Sequence, residues 1–230
     1  KQTEKVFKSA AIKANERLAS SMQGTLTPAS MPWFSLKMRD ARLNAIKSVA
    51  DWLEDCTNRM YLAFRQSNFY SEIGEVYLDL SAFGTGGLFV TERQEWSDVF
   101  VGLEFQALTI GQYVVDENSS GHVDTVIRAM ELTARQAMQM FAERGTLPED
   151  IRKCAVDQPD RVFEFLHAVY PRSEYNPGKM DKANRPWASC YVARHGPTLV
   201  AESGYYEFPY MVPRWAKTSG ELYGRGPGMT

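Results

Sequence analysis

Apolar positions in the first third of the chain recur at helical spacing. From Lys5 to about Gln23, residues Val6, Ala10, Ala14, Leu18 and Met22 share one face, with Lys and Glu between them, which predicts an amphipathic helix. Pro28 and Pro32 break the pattern across Thr25 to Phe34, a connecting loop that carries Trp33. A longer pattern starts near Arg39 and passes through Ala41, Ile46, Val49, Leu53, Cys56, Met60 and Phe64. It runs on, with a break around Ser67-Asn68, to Leu80. Near-continuous helix of about forty residues exceeds the usual globular length and suits an element that packs against a neighbouring subunit or spans a large assembly.

The period changes at Phe83-Gly-Thr-Gly-Gly-Leu-Phe-Val90, where glycines end the helix and Leu88 to Thr91 reads as a strand. Beyond it the chain is β-rich. Val99 to Phe105 alternates, while Gln112 to Val115 and Val123 to Met130 flank an Asp116 to Gly121 hairpin turn. Thr133-Ala-Arg-Gln136 has the capping-box pattern and predicts a helix to about Glu143, closed by Gly145 and Pro148. A short helix over Pro148 to Cys154 follows. Phe163 to Tyr170, Trp187 to Arg194 and Thr198 to Glu202 then read as paired strands, with a polar excursion at Asn176 to Arg185. The fold class is α+β: a helical region over 1–82 and a β-rich domain over 83–230.

Composition narrows the function classes. A chain of 230 residues that is 44% hydrophobic can bury a sizeable core. Its net charge of -2 gives no electrostatic reason for tight nucleic-acid binding, so any DNA contact is expected to be weak or transient. Cys56, Cys154 and Cys190 are widely spaced and show no CxxC pattern, which argues against a disulfide framework or zinc site and for a reducing compartment. No apolar run approaches bilayer-spanning length, so a soluble, cytoplasmically made protein without membrane contact is expected.

Motifs that could carry chemistry are sparse. Gly84-Thr-Gly-Gly87 has the glycine density of a phosphate loop, but it follows a helix and precedes a strand, the reverse of the order that aims a helix N-terminus at phosphates. A glycine helix stop is the alternative. His122, His167 and His195 lack metal-site spacing. Asp79, between Leu78 and Leu80, reads either as a buried carboxylate or as a surface or helix-end acceptor, and it has no acidic partner for acid-base work. Cys190 and His195 offer no triad geometry. No catalytic residue, metal ligand or cofactor is therefore assigned. Arg214 and Trp215, with Lys217 and Arg225, form a basic and aromatic patch suited to an interface, the alternative being a core Trp215 among solvated cations.

The end of the chain is its most distinctive part. Pro209 and Pro213 make Tyr205 to Val212 an edge strand or strand-like lead-in, and Tyr223-Gly-Arg-Gly-Pro-Gly228 reads as a sharp turn in which glycines can take positive φ. Phe208-Pro-Tyr-Met-Val-Pro-Arg-Trp215 with Ser219 to Met229 closely resembles the signature of the head-to-tail connector, or portal, proteins of short-tailed bacteriophages. Phe69 to Val90 matches a second time, and Gly121 to Arg128 with Thr133 to Ala137 a third. The resemblance implies the N-terminal part of a longer portal subunit, largely its wing, with the helical stem and clip after Thr230. It implies a ring, usually of twelve copies in that family, at one capsid vertex of the virion, assembled in the host cytoplasm. Double-stranded DNA passes through such a ring without sequence specificity, and terminase, capsid and scaffolding proteins and tail adaptor proteins dock on it. No bond chemistry is expected of the subunit. The expected subunit-interface residues are Phe69, Tyr70, Tyr77 and Phe83 on the long helix and Arg214, Trp215, Tyr223 and Arg225 in the tail. The alternatives are a nucleotide-binding or hydrolytic α+β enzyme, resting on Gly84 to Gly87, and a general interaction module, resting on the aromatic tail.

Overall fold

The computed structural model describes residues 9–93, 100–142 and 145–229. Val6, Val99 and Glu143, at the ends of three predicted elements, lie outside the described residues. The chain is α+β and divides into two compact units. The first comprises 1–108 and 211–230, and the second, 109–210, is inserted between them in sequence. Residue 83, where the sequence changes period, therefore lies inside the first unit.

The first unit opens with helix α1 (Ala10–Leu26), a short turn of helix α2 (Ala41–Asn44), α3 (Lys47–Gln66) and α4 (Phe69–Phe83). The expected helical stretch breaks at Ser67-Asn68, as the sequence marks, and also at Ala45-Ile46, so it is α2, α3 and α4 in succession. Ser67 turns extended, with ψ of -179°, and its hydroxyl serves both ends of the break: it donates to Phe64 O at 2.8 Å and accepts from Phe69 N at 3.2 Å. The break also aims Asn68 at a strand. Strands β1 (Leu88–Glu92) and β2 (Leu103–Ala107) pair antiparallel, with β2 at the sheet's edge. Asn68 donates to Phe105 O at 2.7 Å and accepts from Phe105 N at 2.8 Å, while the Glu72 carboxylate accepts from Ala107 N at 2.7 Å. Side chains of α4 thus satisfy edge groups that would otherwise recruit another strand.

Beneath the break sits an aromatic core. Trp33 stacks on Phe69, and Phe64 and Phe105 close around them. Tyr61 locks the Pro-rich loop by accepting from the Trp33 and Phe34 amides at 2.6 and 2.5 Å and donating to Phe34 O at 2.7 Å. Helix α1 lies on α4 through polar side chains: Gln23 donates to Tyr70 O at 2.6 Å and Asn15 to Leu78 O at 3.2 Å. Asp79 on α4 is half-buried, between the buried and the surface alternatives. Its carboxyl is raised to about 6 by burial first and by the Glu75 carboxylate second.

The second unit is a five-stranded antiparallel meander, β3 (Tyr113–Glu117), β4 (Val123–Thr133), β5 (Val162–Pro171), β6 (Trp187–Ala193) and β7 (Thr198–Tyr205), in that spatial order. Helices α5 (Ala134–Phe141) and α6 (Glu149–Asp157) pack Ala137, Phe141 and Ile151 onto one face of the sheet, against Phe163, Phe165 and Ala193. The turn at Asn118 to His122 joins β3 to β4 as the sequence predicts. After β7, the two-residue strand β8 (Tyr210–Met211) carries the chain back to the first unit, where it takes the outer place beside β1.

The predicted capping box is present: Gln136 N donates to Thr133 Oγ1 at 3.2 Å and Thr133 N to Gln136 Oε1 at 2.8 Å. Thr133→Ala removes the first of these and should destabilise the second unit by about 1 kcal/mol, read as a lower urea midpoint with the slope unchanged.

Candidate functional site

The two glycine-rich motifs of the sequence are each other's partners. Gly84 ends α4 in the left-handed region, φ 76°, as a helix-stop glycine does. Its backbone then meets the tail: Trp215 N donates to Gly84 O at 2.9 Å, Gly86 N to Pro213 O at 3.1 Å, and Gly224 N to the buried Thr85 Oγ1 at 2.8 Å. A Cβ on Gly84 would reach Gly224 O at 2.6 Å, and one on Gly224 would reach Arg214 Cβ at 2.9 Å, both inside contact distance. Backbone meets backbone here, with the Thr85 hydroxyl bonded between the loops, and a side chain on Gly84 or Gly224 would not fit. The phosphate-loop alternative has no open cradle here, because the chain's own tail occupies it.

This arrangement corrects the expected reason for the tail glycines. Among the described residues of 219–229, Gly220 alone has left-handed φ, 83°. Gly224 and Gly226 are glycines for close approach. Across the clasp Arg225 N donates to Ala216 O at 2.8 Å, and the Arg225 guanidinium pairs with Glu221, donating from Nε at 2.8 Å. Arg214 donates to Leu222 O at 3.2 Å.

The eight residues singled out by sequence fall into two groups. Phe69 and Tyr77 are buried within the first unit, and Tyr77 shares a hydrogen bond with Thr27 at 3.2 Å. Tyr70 is half-buried, with its hydroxyl shut away from water and from partners among the described residues. Phe83, Trp215 and Tyr223 are exposed, at 46%, 42% and 41%. Arg225 is exposed and Arg214 half-buried. The clasp brings the four tail residues together next to the end of α4.

Sequence reading did not single out a buried polar cluster in the second unit. Arg128 on β4, His167 on β5 and Tyr191 on β6 stand opposite one another in register on the inner sheet face. Arg128 Nε approaches His167 Nδ1 at 3.3 Å, and the Tyr210 hydroxyl lies 2.9 Å from the same nitrogen. Arginine can only donate, so Nδ1 is the acceptor. The ring proton therefore sits on Nε2, which donates to Ser189 Oγ at 2.9 Å. Tyr191 stacks on the imidazole with centroids 4.1 Å apart. Burial first, and Arg128 second, lower His167 to about 3, and burial pushes the Tyr210 phenol up, keeping it a donor. The imidazole is neutral and fixed in one tautomer, which makes it an anchor for the strand leaving this unit. His122 and His195 lie elsewhere, in turns. Among the described residues, no group of three or more His, Cys, Asp or Glu could hold a metal ion, and the three cysteines are free.

Two consequences are measurable. Gly224→Ala should cost about 3 kcal/mol through forced backbone displacement, while Gly228→Ala, whose Cβ meets nothing within 4 Å, should change stability by less than about 0.5 kcal/mol; calorimetry of both variants checks this. His167 has a folded-state pKa below its unfolded value, so its stabilisation is present above about pH 6.5 and is lost as pH falls toward about 3. Across that window wild type should lose up to about 1.4 kcal/mol per pH unit more than His167→Gln, read as the difference between their stability-versus-pH slopes.

The chain's likenesses point to one family. A sequence model described as "Bacteriophage head to tail connecting protein" matches residues 1–230. The chain is 32% identical over 219 residues to the "Portal protein" of Salmonella phage epsilon15, covering 94% of this chain and 38% of that protein. It is 32% identical over 218 residues to the "Probable portal protein" of Bordetella phage BPP-1, covering 92% and 38%. It thus spans well under half the length of these curated relatives. With a match that runs the whole length of the chain through both glycine motifs, this protein belongs to the bacteriophage head-to-tail connecting protein family.

Proposed function

We propose that this chain forms the wing region of a portal subunit, a ring of copies at one capsid vertex through which double-stranded DNA is packaged and ejected. The observation that carries the reading is the family match over residues 1–230. Twelve copies is the number that the family resemblance implies. Terminase, capsid and scaffolding proteins and tail adaptor proteins are the docking partners of such a ring, and its place is the virion, after assembly in the host cytoplasm. A net charge of -2 suits a conduit that must not hold DNA tightly.

The subunit's work is mechanical rather than catalytic. The glycine loop that best supported an enzyme presents its amides and carbonyls to the tail. In the proposed ring Phe83, Trp215, Tyr223, Arg214 and Arg225 face neighbouring subunits, since exposed aromatics and arginines are the residues that interfaces favour. Phe69, Tyr70 and Tyr77 support that surface from beneath, by holding α4 to its core.

Negative-stain class averages and native mass spectrometry of the intact subunit test the reading. Closed rings with a central hole are expected. A compact monomer at every concentration would overturn the proposal.

A further inference from the structure

The outer face of the second unit's sheet breaks the usual rule for a solvated antiparallel sheet, in which outward positions are polar. Val114, Ile127 and Ala168 stand in one cross-strand row on that face, and Leu166, Val192 and Leu199 in the next. Val114 is 55% exposed, Ile127 37% and Leu199 51%. The helices cover the opposite face. A contiguous apolar strip with polar ends has the anatomy of a protein-protein contact.

The charges around the strip indicate what covers it. Asp116, Glu131, Glu164 and Glu202 stand at outward strand positions beside it, Arg172 and Arg194 pair with Glu202 and Glu164, and the segment with Lys182 and Arg185 lies over Gly204 at the far end of the same face. The strand positions that border the strip are acidic and carry no cation of their own, so they favour a cationic partner over a second copy of themselves. The tail of the first unit has the opposite character. Over 211–229 it carries Arg214, Lys217 and Arg225 against Glu221, with exposed Trp215, Tyr223 and Met211 among them. The clasp holds this segment in shape, through the bridge between Ala216 and Arg225 and the Gly84 contacts.

We infer that the apolar, acid-bordered sheet face of one copy docks the aromatic, cation-bearing tail surface of a second copy, centred on Trp215. The inference rests on the ring reading and deepens it. Two different surfaces meet, so the contact is head to tail, the type that closes into rings. It uses residues of the second unit that the sequence did not single out.

Sedimentation velocity of the 230-residue chain tests the contact directly. Wild type should self-associate, and more weakly as salt rises, because the charges are exposed. Ile127→Lys or Leu199→Lys on the face, and Trp215→Ala or Lys217→Glu on the tail, should each weaken association, by about 30-fold for Trp215→Ala, the scale of an interface hot spot. All four sites are exposed, and an unchanged circular dichroism melt confirms folding. Mixing is the decisive step. Ile127→Lys keeps an intact tail and Trp215→Ala an intact face, so each alone should be monomeric while an equimolar mixture forms a one-to-one dimer and nothing larger. A wild-type chain that stays monomeric, folded variants that associate like wild type, or a mixture that stays monomeric would each overturn the inference. Ring formation by the intact subunit is scored separately. Rings assembled from Ile127→Lys subunits leave the portal reading standing and remove this contact, whereas absence of rings from wild type removes the reading itself.

Discussion

The first unit depends on a backbone approach that only glycine permits. The end of α4 and the 224–226 turn come together with main-chain atoms touching, and the amide of Gly224 reaches a buried hydroxyl 139 residues away in sequence. Glycine carries an entropic cost wherever it is used, and here that cost is offset by hydrogen bonds that would otherwise be left unmade in a buried place. One closure sets three things. It stops the helix, it covers the glycine loop, and it fixes where the tail aromatics emerge.

Most local structure was legible because local chemistry decides it. Thr133 and Gln136 announce their helix by reciprocal hydrogen bonds three residues apart, and the turn at Asn118 to His122 announces the hairpin that it closes. The long helical pattern breaks where the sequence marked it, at Ser67-Asn68, and a tertiary demand supplies the reason. Ser67 and Asn68 could have continued the helix, but Asn68 is needed at the edge of β2, and Ser67 supplies the turn that delivers it. Spacing alone cannot show a strand that lies 37 residues further on.

The candidate site was legible in its parts and not in its assembly. Both glycine motifs stood out, yet the reason assigned to the tail was dihedral freedom, whereas the structure uses the absence of a side chain. Distinguishing those reasons requires knowing what stands opposite. The His167 cluster did leave a trace: in Phe163, Phe165, His167, Val169, one polar residue occupies an inward position of an otherwise apolar period, and Arg128 does the same on β4. An inward histidine facing an inward arginine has to be satisfied by hydrogen bonds. That constraint could have picked out both residues, but not Tyr210, which arrives from a separate segment.

The order of the units along the chain links these two features. The second unit is an insertion, so the clasp can form only after residues 109–210 have been synthesised and the tail has returned. Closing so long a loop in an unfolded chain costs entropy, though each doubling of length adds only about 0.6 kcal/mol. Folding the insertion first removes most of that freedom before the tail must find Gly84. The neutral His167, buried among Arg128, Ser189 and Tyr210, then has a role beyond packing: it holds the last residue of the inserted unit by its hydroxyl, and the next residue, Met211, starts the segment that completes the clasp. The polar anchor in one unit and the glycine contact in the other are therefore consecutive constraints on the same stretch of chain, and that stretch carries the exposed aromatics on which the proposed ring contact relies.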